Sequence, residues 1–183
     1  MIHYIKVVVC LLLCLEGVYP QADSVVIRSL ILEGNEHVSM NEVLSIIRQR
    51  PPKYFFRHPK FEPRLLKLDA LTLKSFYHSK GFLDVEIDES YSVEDIYADI
   101  VYTIDEGKQY HLSKVDVIGN SLISDERIKE ILGLHISEPY NPVGINENIY
   151  LLENEYHLMG KLFLSVTVQD TITYSIKVKV SID

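Results

Sequence analysis

Ile104-Asp105-Glu106-Gly107, followed by Gln109-Tyr110 and by Val115-Asp116-Val117-Ile118-Gly119-Asn120, is the stretch on which the reading of this 183-residue chain turns. Its second half repeats the earlier Leu30-Ile31-Leu32-Glu33-Gly34-Asn35, and its first half returns in the closing Val180-Ser181-Ile182-Asp183. It therefore ends one unit and opens another of the same kind. Self-similarity at a fixed period decides the architecture, because each copy is one supersecondary unit.

Working outward from that junction, the matches continue in the same order. Val38-Ser39 corresponds to Ile123-Ser124, and Val43, Ile46 and Ile47 correspond to Ile128, Ile131 and Leu132. Later in each copy, Tyr77-His78 with Gly81 corresponds to Tyr156-His157 with Gly160. Val25 to Glu33 is rich in β-branched residues and reads as a strand closed by Gly34-Asn35. Ser39 with Glu42 forms a capping box for a short helix from about Met40 to Gln49, stopped by Pro51-Pro52. Lys53 to Glu62 is an aromatic, basic loop. A longer helix fits Pro63 to Ser79, with proline in its first turn and Leu65, Leu66, Leu68, Leu71, Leu73, Phe76 and Tyr77 as a broad apolar face. Gly81 ends it. Phe82 to Tyr91 and Asp99 to Asp105 alternate as half-buried strands. The second copy follows suit: a strand over His111 to Ile118, helices from Ser124 and from Pro142 to Met159, then alternation at Leu162, Leu164, Val166 and Val168 and at Ile176 to Ile182. The fold class is α+β: two tandem β-α-α-β-β domains, each a three-stranded mixed sheet covered by two helices.

Residues 1–22 stand apart. Lys6 gives a basic start, Val7 to Leu15 is an apolar run too short to span a bilayer, and cleavage is expected after Ala22. The domains are therefore a signal peptide over 1–22, a first unit over 24–107 and a second over 108–183. Cys10 and Cys14 both fall in the leader, and Leu13 is too large for a lipid-anchored cysteine signal, so the mature chain carries no thiol chemistry. A formal net charge of −8 and the absence of a basic run exclude nucleic acid as a partner. The seven histidines show no metal-ligand spacing, and no nucleophile elbow or phosphate loop is present. Neither an enzyme nor a cofactor is expected.

The β-α-α-β-β order, the Gly-Asn after strand one, the Tyr-x-x-x-Gly before strand two and the Ile-Asp-Glu-Gly closing strand three resemble polypeptide-transport-associated (POTRA) domains. The chain is most similar to the tandem copies of the outer-membrane protein insertase family, including Phe61 to Asp69 leading into Phe76-Tyr77-His78-Ser79-Lys80-Gly81-Phe82. The resemblance covers about residues 24–183. It implies a periplasmic module that receives unfolded outer-membrane or secreted polypeptides, binds accessory assembly subunits and works beside a membrane β-barrel. No barrel lies within these residues, and the last copy stops at Asp183 where Glu-Gly would continue it. A fragment of a barrel-bearing protein or a free-standing tandem is expected. The Arg50 to Glu62 loop is longer than its counterpart. Alternatives are a two-partner secretion transporter, a cell-division protein with one such domain, and a structural adaptor without client binding.

In a β-α-α-β-β unit strand three can sit in the middle, leaving strand two at an edge whose unpaired N–H and C=O groups can accept an extended client. The candidate edges are Leu83 to Glu89, with Leu83, Val85 and Ile87 on one side, and Leu162 to Gln169, with Phe163, Leu164 and Val166. Asp84, Glu86, Asp88 and Glu89 serve equally well as charges that discourage sticking. Phe163 fits a packing position as well as a client contact. Tyr54, Phe55 and Phe56 form a second cluster, either a contact loop for a partner or an aromatic lid over the helices.

Overall fold

The computed structural model describes residues 24–54, 58–161, 164–171 and 175–182, the last two stretches as backbone. The expected leader over 1–22, Phe55, Phe56 and Phe163 lie outside the described residues. Two three-stranded sheets are each faced by a pair of helices. The first repeat contains β1 (Val26–Glu33), α1 (Met40–Ile46), α2 (Pro63–Ser79), β2 (Glu86–Glu94) and β3 (Tyr97–Asp105). The second contains β4 (Lys114–Ile118), α3 (Asp125–Leu132), α4 (Pro142–Leu158), β5 (Leu164–Thr171) and β6 (Ser175–Ile182). The class is α+β, as the duplicated element order requires.

In both sheets the last strand lies in the middle, in the orders β1-β3-β2 and β4-β6-β5. β3 runs parallel to β1 and antiparallel to β2, and β6 repeats this with β4 and β5. Alternation does the rest. Ala98, Ile100, Tyr102 and Ile104 of β3 are buried under the helices, joined by Ile27 and Leu30 of β1. Each repeat holds its own apolar cluster, the first centred on Leu73 and Tyr77, the second on Leu152 and Tyr156.

Local chemistry explains the helix starts. Ser39 and Glu42 form the reciprocal capping box, and Ser124 accepts from the Arg127 amide. Pro63 and Pro142 stand in the first turn, where a missing N–H costs nothing.

Several boundaries depart from the sequence reading. α1 stops at Ile46 rather than Gln49, because the Asp69 carboxylate takes the Arg48 and Gln49 amides at 2.8 and 2.9 Å and draws the chain away. β2 begins at Glu86 rather than Phe82, since Gly81 and Phe82 are occupied by the next repeat. It continues to Glu94, through a tight turn with Asp95 at φ 54°, into a β3 that starts at Tyr97. β4 begins at Lys114, because His111 bridges Pro139 and Leu112 bonds Ser137 and Glu138. The apolar face of α2 is also narrower than expected. Leu66, Leu73 and Tyr77 are buried, while Leu68 and Leu71 face solvent.

Candidate functional site

A three-stranded sheet has two edges, and in the first repeat they differ. The chain after α1 returns past β1: the Ile27 amide donates to Pro59 O at 2.7 Å, the Phe61 amide donates to Val25 O at 2.8 Å, and Val26 bridges Lys60. His58 Nδ1 lies 3.1 Å from Ile27 O. Phe61 is buried and packs against Tyr91 with the rings tilted and their centroids 4.9 Å apart. The start of β1 is therefore covered. β2 is paired to β3 from Glu86↔Asp105 to Glu94↔Tyr97, and among the described residues no strand pairs with its outer side. An uncovered edge presents alternate backbone donors and acceptors to any extended chain.

Beside that edge α2 leaves a groove of about 300 Å³, lined by Lys67, Ala70, Leu71 and Lys74 from the helix and by Ile87 and Glu89 from the strand. The register places Ile87 and Glu89 opposite Ile104 and Tyr102, on the helix-facing side. Glu86 and Asp88 fall on the other face and are exposed. At the far end Arg28 reaches across β3 to Glu94 at 2.9 Å and also bonds Asp99.

The expected edge residues divide. Ile87 is half-buried in the groove. Val85 is 1% exposed, committed to the first core. Leu83 is not on the edge: it precedes β2 and packs against the core of the second repeat, because the chain turns at Gly81 toward that repeat. Leu164 and Val166 lie in β5, the uncovered strand of the second sheet. Tyr54 is exposed with Lys53 Nζ 5.9 Å above its ring. Lys67 and Lys74 carry no part in the sequence reading, which takes Leu71 as one residue of the apolar helix face. A leucine at a core-compatible helical position and two lysines on a surface helix carry no local signal of a groove.

The seam between the repeats is a second built feature. The Tyr110 amide donates to Gly81 O at 2.8 Å, and the Tyr140 amide donates to Tyr110 O at 2.8 Å. Gln109 Nε2 donates to Lys80 O at 3.0 Å, Phe82 bridges Gln109, and the Tyr110 hydroxyl bonds Asp84. Immediately before it sits Glu106, buried, accepting from the His37 amide at 3.0 Å, from His37 Nδ1 at 2.5 Å and from the Tyr77 hydroxyl at 3.0 Å. Burial alone would raise the Glu106 carboxyl. The His37 and Tyr77 hydrogen bonds together outweigh it and hold the group below its ordinary value. Burial, reinforced by the Glu106 charge, pushes the Tyr77 phenol up.

Among the described residues no group of three or more His, Cys, Asp or Glu is placed to hold a metal, and no helix is long and apolar enough to cross a membrane.

The family model for POTRA, described as a surface antigen variable number repeat, matches residues 25–107 and 110–183. The outer membrane protein assembly factor BamA of Neorickettsia risticii (strain Illinois) is 27% identical over 154 residues, covering 80% of this chain. The chain spans 19% and 20% of the length of the curated relatives it matches. Among solved structures, the N-terminal domain of Omp85 from Thermosynechococcus elongatus superposes with a TM-score of 0.52 at 18% identity, over 86% of this chain and 62% of that one. POTRA1-2 of the periplasmic domain of Omp85 from Anabaena gives 0.52 at 16% identity, over 86% and 95%. At such identities the likeness is one of fold.

Proposed function

The chain belongs to the POTRA family, and from that premise we propose that it is a periplasm-facing binding module of outer-membrane protein assembly, engaging extended polypeptide clients or accessory subunits along β2. The single observation that carries this reading is the asymmetry of the first sheet. The loop over 58–61 covers the start of β1, whereas among the described residues no strand pairs with the outer side of β2. Pairing at an edge draws on main-chain groups, which every client possesses, so affinity depends little on client sequence. That suits a receptor for many unfolded chains. The names of the relatives support the setting, since the protein that this chain resembles is named an outer membrane protein assembly factor. In this reading residues 1–22 direct export, and the module works at the periplasmic face of the outer membrane beside a β-barrel. The open β5 edge of the second repeat offers a second site of the same kind.

The test is solution NMR with an extended peptide of alternating apolar residues. Amide shifts running along Glu86–Glu94 are expected. Shifts confined to the Tyr54–Lys60 loop would refute edge pairing and move the contact to the aromatic cluster.

A further inference from the structure

Beyond general capture of extended chains, and resting on that reading, we propose that the first repeat selects its client by charge: it takes a strand with the pattern acid-x-apolar-x-acid, whose carboxylates meet Lys67 and Lys74 while the apolar residue meets Leu71. The groove beside β2 supplies the geometry. Lys67, Ala70, Leu71 and Lys74 lie on one stripe of α2 and form its wall. Leu71 is 66% exposed, the more exposed of the two leucines, with Leu68, that lie off the helix's buried stripe of Leu66, Leu73 and Tyr77. Both lysines are exposed, and among the described residues neither has a carboxylate within ion-pair distance.

Spacing sets the pattern. Seven residues of helix advance roughly 10 Å. Along a strand, residues of one face recur every second position, so the first and third of them lie about 13 Å apart. Flexible lysine stems cover that difference. A strand hydrogen-bonded to β2 therefore presents two helix-facing carboxylates to the two ammonium groups, with one apolar side chain between them over Leu71. Glu89 also lines the groove and opposes the acids, but two lysines outnumber it. Glu86 and Asp88 occupy the opposite face, so the intervening residues are neutral or basic.

The second repeat supplies an internal contrast. Counting back from Tyr156 as from Tyr77, the equivalent helix positions are Asn146, Ile149, Tyr150 and Glu153. Tyr150 keeps the exposed apolar step at 70%, close to Leu71. The flanking charges are gone: a neutral residue and an acid stand where the lysines were. The two helix walls thus share an exposed apolar step and differ in charge.

The experiment uses the whole chain and two peptides, Thr-Glu-Thr-Leu-Thr-Glu-Thr and Thr-Lys-Thr-Leu-Thr-Lys-Thr. Threonine on the alternate face keeps a one-residue slip from restoring either charge pattern. The net charge of −8 draws the lysine peptide to the protein as a whole, so preference for the glutamate peptide reports the groove and not the long-range field. Titrated by NMR, the glutamate peptide is expected to bind along β2 roughly fivefold tighter, the size that two exposed ion pairs supply. The gap should narrow at high salt, and a Lys67→Glu/Lys74→Glu double variant should invert the order. Both positions are exposed, so the variant folds. If both peptides move the β2 amides with equal affinity, or the lysine peptide wins, charge selection is overturned while edge pairing stands. If neither moves them, edge pairing itself fails and the selection goes with it.

Discussion

The two repeats are built to one plan but close their first helix differently, and the difference shows how a duplicated fold diverges. In the second repeat α3 ends on Gly133 in the left-handed region at φ 68°, whose amide and that of Leu134 bond back into the helix. This is a local stop needing nothing from elsewhere. In the first repeat α1 ends because Asp69 of α2, 1% exposed, accepts the Arg48 and Gln49 amides. Residue 148, the counterpart of Asp69 when counted from the paired tyrosines, is asparagine. A stop borrowed from a neighbouring helix frees the chain that follows to travel. It runs through 47–62, and its Pro59–Phe61 portion lies along β1. The longer loop of the first repeat thus covers the start of one edge strand, β1, and among the described residues no strand covers the other edge.

The paired tyrosines diverge in the same way. Tyr77 donates to a buried carboxylate, Glu106, whereas Tyr156 donates to Asn120 at 2.7 Å. In both comparisons the first repeat uses a buried carboxylate where the second uses a neutral side chain or a backbone turn.

Substitutions at matched positions should separate the two designs, and the largest effect is expected at the glycines after α2 and α4. Gly81 and Gly160 share a positive φ, 87° and 80°, but a Cβ on Gly81 would lie 2.7 Å from Tyr110 O, while one on Gly160 meets nothing within 4 Å among the described residues. Gly81→Ala should cost about 3 kcal/mol or more in urea unfolding, and Gly160→Ala about 1 kcal/mol, the left-handed penalty alone. Equal costs would mean that the seam yields to the extra methyl. Next, Asp69→Ala strands two amides and should cost about 3 kcal/mol, against about 1 kcal/mol for Gly133→Ala. Tyr77→Phe should cost about 2 kcal/mol and Tyr156→Phe about 1 kcal/mol, because the former bond ends on a carboxylate.

The smallest effect is on acid stability. Glu106 is held below its ordinary value of 4.5 in the folded chain, so it adds stability above that value and loses it as pH falls through the lower, folded one. Acidification below 4.5 should therefore weaken amide protection in the first repeat before the second. Hydrogen exchange read residue by residue measures this. Glu106→Gln should remove the difference, and simultaneous loss in both repeats would assign the acid response elsewhere.

Much of this was legible in the chain. Ser39 with Glu42, and Ser124 before α3, marked helix starts because a cap is a contact between near neighbours. Alternation over Ile100, Tyr102 and Ile104 marked β3, and the repeat itself implied two sheets. The element order also pointed to the last strand in the middle of each sheet. The misreadings share one cause. α1 was extended to Gln49, Leu83 was placed on the edge strand and Leu71 in the core, and each was decided by a partner far away in sequence: Asp69, the second repeat and an open groove.

Taken alone, the order of apolar, polar and turn residues determined the class of the fold, the duplication, the helix starts and the strand faces, since all of these follow from periods of two and 3.6 residues read over short windows. Only the tertiary structure decided which sheet edge stays open, which charges flank it and how firmly one repeat grips the next. Those properties belong to pairs such as Lys67 with Ile87, Pro59 with Ile27 and Gly81 with Tyr110. Such pairs form only when the chain returns on itself, and no short window of sequence contains both members.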